Sequence, residues 1–269
     1  MEYKIGEMAK LFNISKEMVR YYEKCGVITP KRSKDNNYRI YTTSDFFMIG
    51  EIIQLQQFGV NIKDSKELRA ENFVGRMIDN YSKFSQELNQ EIDYKKILKR
   101  RTEEMIDNLE TVSLNSESYW VKRIDSRTDY YYETAYGDEY QGVEAPLEVS
   151  QWFLSPRYAP FCDAIAVFKD DCIEWNFSIQ DQYGKAFQLP SASNLIHVPS
   201  QICVCTVIDM GDFGTFTKDY CIPLLEYAKK RGYIINGEIY GVLRSRGIED
   251  KKFCRYMELR LPIKNNKGI

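Results

Sequence analysis

At 269 residues, 43% hydrophobic and 28% charged, the chain is long enough for two domains and a sizeable core. Its net charge of −2 is unevenly spread: residues 1–41 hold nine Lys/Arg against five Asp/Glu, a surplus of +4 that leaves −6 for the remainder, and a basic head on an acidic body is the footprint of a nucleic-acid reader attached to something else. No apolar run approaches membrane-spanning length, Met1-Glu2-Tyr3-Lys4 leads straight into a polar helix, and seven cysteines fit free buried thiols in a reducing cytoplasm better than disulfides.

Residues 5–12 read as a helix, Asn13 as a tight break, and Ser15 as the N-cap of a second helix carrying Lys16, Met18, Val19, Arg20, Tyr21 and Tyr22. Two short helices joined by such a turn form a helix-turn-helix, whose second helix enters the major groove. Residues 31–41 read as a hairpin wing, with Asp35-Asn36-Asn37 as the turn. Lys31, Arg20 and Arg39 suit phosphate contacts. Tyr21 and Tyr38 either donate a hydroxyl to phosphate or pack under the wing, and Lys16 and Met18 are placed for base edges unless Met18 is core.

Ile5-Gly6-Glu7-Met8-Ala9, Val19-Arg20-Tyr21-Tyr22-Glu23, Gly26-Val27-Ile28-Thr29-Pro30, Asn37-Tyr38-Arg39 and Tyr41 together resemble the winged-helix domain of MerR-family transcription regulators over about 60 residues. The alternative is a small helical domain with tyrosines in its core. A further helix is expected over 46–58, with apolar residues at helical spacing and Gly59 just past its end.

Residues 73–112 read as one long helix. Val74, Met77, Tyr81, Phe84, Leu88, Leu98, Met105, Leu109 and Val112 fall on a 3-4 seam, interrupted by Glu91, Lys95 and Thr102. Such a seam predicts a coiled-coil partner, and the resemblance implies an antiparallel pairing across a homodimer. Residues 60–161 contain neither cysteine nor histidine. The soft-metal and iron–sulfur ligands of the family's metal-sensing branches are therefore missing where those branches carry them, and neither a metal nor a cofactor is expected.

From Tyr119 the pattern turns to alternating strands with a weak internal repeat. Residues 120–138 parallel 195–212; helical runs follow at 146–154 and 223–230; each precedes two strands, 164–168 with 172–179, and 238–243 with 254–263. Two β-α-β-β units in tandem suggest a pseudo-twofold domain with a cleft. This resembles the gyrase-inhibitor-like effector domain of the multidrug-responsive MerR branch, to which the ending Tyr256-Met257-Glu258-Leu259-Arg260-Leu261-Pro262-Ile263 is similar.

Aromatic walls bind flat apolar ligands and favour cations. Tyr136, Tyr140, Trp152, Tyr158, Trp175, Phe177 and Tyr240 are the pocket candidates, with about half of them expected in the core. The resemblance implies a buried carboxylate just after a tyrosine, where this chain has Gly241. Glu174, Glu238 or Glu258 can substitute or face solvent, and the glycine leaves room for a bulkier or neutral ligand. His197, Cys203 and Cys205 read as structural.

The expected architecture is α+β: a winged helix-turn-helix at 1–72, a dimerisation helix at 73–113 and an effector domain at 114–269. The expected function is a homodimeric activator, not an enzyme, that binds double-stranded promoter DNA, works with RNA polymerase and senses a lipophilic or aromatic, possibly cationic, molecule. The alternatives are a C-terminal domain that hydrolyses small molecules or binds a protein partner.

Overall fold

The computed structural model describes residues 1–61, 72–114, 118–136, 139–140, 155–188, 195–211, 216–249 and 251–264. They form two compact units, 1–95 and 96–269.

In the first unit, helix α1 (Ile5–Leu11) ends at Asn13, whose φ of +52° turns the chain into helix α2 (Lys16–Lys24). Asparagine tolerates this left-handed conformation because its short polar side chain bonds locally. The Ser15 hydroxyl accepts from the Met18 N–H at 3.0 Å, so the N-cap read from the sequence is formed. Strands β1 (Glu2–Tyr3), β2 (Lys31–Arg32) and β3 (Arg39–Thr42) make a small antiparallel sheet in the order β1-β3-β2. Met8, Val19, Tyr22, Tyr41, Ile49, Ile52 and Leu55 fill the core beneath it.

Helix α3 (Thr43–Gln57) starts three residues before the apolar periodicity does, because the cap sets its start. Asp45 accepts from the Thr42 backbone N–H at 2.7 Å and from the Thr42 hydroxyl at 2.9 Å. Its other oxygen accepts from the Thr29 N–H at 3.1 Å. One buried carboxylate thus closes a capping box and ties the segment after α2 to α3. At the far end Gly59 has a φ of +78°, as its position past the helix requires.

Helix α4 (Phe73–Leu114) runs for 42 residues. Its seam is used in part within the chain. In the first unit Met77 is buried in the head's core, Tyr81 meets Phe58 edge-on at 5.2 Å, and the Phe84 ring lies over Gly59, where a β-carbon would approach to 2.7 Å. In the second unit Leu98 and Met105 line a crevice with Pro160, Ala164 and Leu243. Met77, Phe84, Leu98 and Met105 of the seam therefore pack against their own chain. Val74, Tyr81, Leu88 and Leu109 of the seam stay exposed, together with Ile78, Ile92 and Ile106 beside them. These positions also recur at a 4-3 spacing.

The second unit is built on one sheet of strands β4 (Trp120–Ile124), β5 (Arg127–Tyr136), β6 (Glu139–Tyr140), β7 (Cys162–Phe168), β8 (Ile173–Gln180), β9 (Leu195–Val198), β10 (Gln201–Asp209), β11 (Tyr240–Glu249) and β12 (Lys252–Ile263). The order is β4-β10-β12-β11-β7-β8-β5-β6, with β9 on β5. Reading outward from the central β7–β11 pair gives β7-β8-β5 on one side and β11-β12-β10 on the other. The strands expected for the two repeats thus flank the central pair in matching order. Strand β4 precedes β5 in the chain but pairs with β10, while β9 precedes β10 but pairs with β5, so each half lends a strand to the other. Residues 146–154, expected as the first repeat's helix, lie outside the described residues.

One face of the sheet is apolar. Leu224 and Ala228 of helix α5 (Ile222–Lys230) are buried with Trp175, Val204, Met257, Leu259 and Leu261. The other face carries Tyr240, Glu258 and a set of arginines. Strand alternation separates the two sets.

A candidate DNA interface and an effector cleft

On the head, Lys16, Arg20, Lys31 and Tyr38 are exposed and Met18 is 38% exposed, so Met18 is surface rather than core. Tyr38 stands at the hairpin tip, where Asn37 turns the chain with a φ of +57°. Tyr21 is half-buried against the core. Arg39 is also half-buried, and its Nε donates to both Glu23 carboxylate oxygens at 3.1 and 2.8 Å. Arg39 thus ties β3 to α2 as well as carrying charge.

In the second unit a cleft of about 290 Å³ lies between α4 and the polar face of the sheet, at the small end of ligand pockets. Arg100, Glu104, Asp107 and Asn108 form its helical wall. Lys122, Arg127, Arg244 and Arg260 lie on the sheet side with Ile124, Ile165 and Val242. Beneath them Glu258, 1% exposed, receives Lys122 Nζ at 2.6 Å, Arg244 Nη2 at 2.6 Å and Arg260 Nε at 2.9 Å. Burial alone would raise its pKa; Arg260 first, then Arg244 and Lys122, overturn that and hold the carboxyl far below the usual range. Burial pulls the Lys122 ammonium below the ordinary lysine value; Glu258 opposes this and Arg260 adds to it.

Asp129 is the second buried carboxylate. It accepts from Arg127 Nε at 3.0 Å and from the Ser178 hydroxyl at 2.6 Å. The Arg127 guanidinium lies 4.1 Å from the centre of the Tyr240 ring, and Arg260 lies 5.9 Å from it. Burial pushes the Tyr240 and Cys205 pKa values up to about 12 and raises that of Cys203, so these neighbours are neutral at pH 7.

The helix is keyed to the sheet beside this cleft. Arg101, 3% exposed, donates to the Pro160 carbonyl at 3.0 Å and to Asp163 at 2.6 Å. Glu104 accepts from the Tyr183 hydroxyl at 2.6 Å; Tyr183 is buried in the short helix Asp181–Ala186 that follows β8. None of Arg101, Arg127, Arg244 or Arg260 stands out in the sequence, because a basic residue in a charged run on a helix, or alternating with apolar ones on a strand, reads as solvent-facing.

Among the described residues, the expected ligand residues lie on both faces of the sheet. Trp175 is buried on the helix-covered face, and Phe177 shares its side of β8. Tyr240 and Glu258 are on the opposite face. Glu174 and Glu238 both pair with Lys169, at 3.6 and 2.6 Å. Tyr158 packs against Phe187 at 5.4 Å. Tyr136 and Tyr140 lie on β5 and β6, and Trp152 lies outside the described residues. Gly241 opens no space for a ligand: a β-carbon there would lie 2.6 Å from Met257 Cγ and 3.3 Å from Leu259 Cδ2, because Met257 already fills the room. His197 Nε2 meets Asp181 at 2.9 Å. All seven cysteines are unpaired, and the described residues hold no cluster of three or more His, Cys, Asp or Glu suited to a metal.

Residues 3–72 match the family described as the MerR HTH family regulatory protein. The match covers the helix-turn-helix head, about a quarter of the chain. A heavy metal-dependent transcription regulator of Rhizobium meliloti is 33% identical over 66 residues, which cover 24% of this chain and 45% of that protein. The chain thus spans about half the length of such curated relatives. An uncharacterized HTH-type transcriptional regulator of Bacillus subtilis, YyaN, is 27% identical over 114 residues, covering 39% of this chain and 83% of that one. A solved EcmrR–DNA complex aligns over 97% of this chain and 99% of that chain, at 16% identity and a TM-score of 0.35.

Proposed function

We propose that this protein is a homodimeric transcription regulator whose MerR-type head binds duplex promoter DNA and whose C-terminal cleft binds a small effector. The observation that carries the reading is that α4 is both the extension of the head and the wall of the cleft. Arg101 and Glu104 are fixed to the sheet next to Arg100, Glu104 and Asp107, which line the pocket. An effector seated there touches the helix directly, and it shifts the regulator only by binding two helix settings with different affinity. The exposed 4-3 stripe of α4 supplies an apolar seam for a second copy. Through the dimer the change reaches DNA geometry, and so RNA polymerase.

The aromatic lipophilic-cation site is the weaker reading of the cleft. The Tyr240 face is already covered by Arg127, and Glu258 is held by three cations of the chain itself. Absence of cysteine and histidine from residues 60–161 favours an organic effector over a soft metal.

Selection of duplexes from a random pool by the full chain tests DNA reading. The expected product is an inverted repeat. Arg20→Ala is expected to weaken binding to it and to reduce the salt slope by about 1, as loss of one phosphate contact requires. Enrichment of no sequence by the intact protein, or an unchanged slope in Arg20→Ala, counts against the proposal.

A further inference from the structure

The floor of the cleft carries more positive charge than its carboxylates balance. Lys122, Arg127, Arg244 and Arg260 face Glu258 and Asp129, four cations against two anions. Adding the neighbouring Arg101 with Asp163 and Glu104 still leaves five cations against four carboxylates. The rim is balanced, with Arg100 and Arg123 against Asp107 and Asp125. Tyr240, Cys203 and Cys205 supply no charge at neutral pH. A buried charge without a counter-ion is costly, and proteins pair it or bind its partner.

A second observation locates the deficit. Arg127 is 6% exposed, and its Nε is used by Asp129. Its Nη1 is buried with no hydrogen-bond partner. A guanidinium presents five donors in a rigid fork suited to two oxygens at once. Here Asp129 orients the fork from one side and the Tyr240 ring supports it. Ile124, Ile165 and Val242 line the same cleft and offer an apolar seat beside the charged floor.

We propose that this cleft is an anion site, and that its ligand is a small molecule with a carboxylate or phosphate group directed at Arg127 and a compact apolar body resting on Ile124, Ile165 and Val242. The inference rests on reading the cleft as the effector pocket and replaces a cationic ligand with an anionic one. Lys122, which lines the same cleft, adds its positive charge to the site while it, Arg260 and Arg244 hold Glu258.

The test is a thermal-shift and calorimetric titration of the full chain at constant ionic strength, with sodium benzoate, inorganic phosphate and tetraphenylphosphonium chloride as separate probes. Benzoate is expected to raise the melting temperature and to bind at least tenfold more tightly than phosphate if the apolar seat is used. Equal binding of the two would assign the site to the oxyanion alone. Arg127→Gln is expected to abolish the benzoate shift. Should that variant fold poorly, Lys122→Met, at a half-exposed position, is expected to weaken benzoate at least fivefold. Stabilisation by tetraphenylphosphonium but not by either anion would overturn the proposal. So would an anion shift unchanged in both variants, or no shift with any probe. Selected operator DNA separates the two readings. Benzoate binding that depends on Arg127 but leaves DNA affinity and footprint unchanged keeps the anion site and removes the effector role. A footprint altered by tetraphenylphosphonium alone does the reverse.

Discussion

A β-carbon at position 241 would sit within 2.6 Å of Met257 Cγ, so this glycine records a close approach in the core. Gly241→Ala is expected to cost about 1–3 kcal/mol, the usual range for overpacking, read as a lower thermal midpoint; an unchanged midpoint would mean that Met257 swings aside freely. Glu258 gives a prediction in pH. Its folded pKa is depressed below the ordinary 4.5, so its contribution to stability is present above that value and is lost as pH falls through and below it. Wild-type stability is therefore expected to drop steeply below about pH 4.5. Glu258→Gln is expected to flatten that acid limb and to lose about 3–5 kcal/mol at pH 7, the cost of stranding buried cations. Melts from pH 3 to 8 check both, and a parallel acid limb in the variant would refute the assignment. The sequence marked Glu258 as a candidate carboxylate but gave no sign of its cage. Lys122, Arg244 and Arg260 lie on β4, β11 and β12, and only the sheet order brings the first of them to Glu258.

Among the elements, those set by local chemistry were legible. Asn13, Ser15 and Gly59 fix their own turns, and the helix-turn-helix follows from them. The long helix was equally plain in extent, while the use of its faces was not. Met77 and Phe84 fit a coiled-coil seam as well as they fit an intrachain contact, because a heptad pattern records only that a face is buried, not against what. Arg101 is the clearest miss: a basic residue in Lys99-Arg100-Arg101 reads as solvated, yet it is 3% exposed and holds Asp163. Arg101→Met is expected to destabilise the second unit by about 3 kcal/mol, since it leaves a mostly buried carboxylate without its cation. Two-step urea unfolding of the full chain, followed separately for head and C-terminal signals, would show it. Loss of the head transition instead would contradict the assignment.

For the whole molecule, the strands of the C-terminal sheet were legible because two similar alternating runs are visible in the chain. The exchange of β4 and β9 between halves was not, since nothing local distinguishes a strand that pairs with its neighbour from one that crosses. The exposed stripe of α4 predicts the assembly: replacing Leu88 and Ile92 together by Glu is expected to convert a dimer to a monomer in sedimentation, with weaker operator binding. A double variant that remains dimeric would move the interface elsewhere. In the proposed regulator the head and the cleft share helix α4 as a working part. Hydrogen exchange of the full chain, free and bound to its selected operator, tests that most directly. Coupling between sites is reciprocal, so DNA binding is expected to change exchange rates in residues 100–108 and 176–183 as well as in the head. Changes confined to residues 1–61 would contradict it.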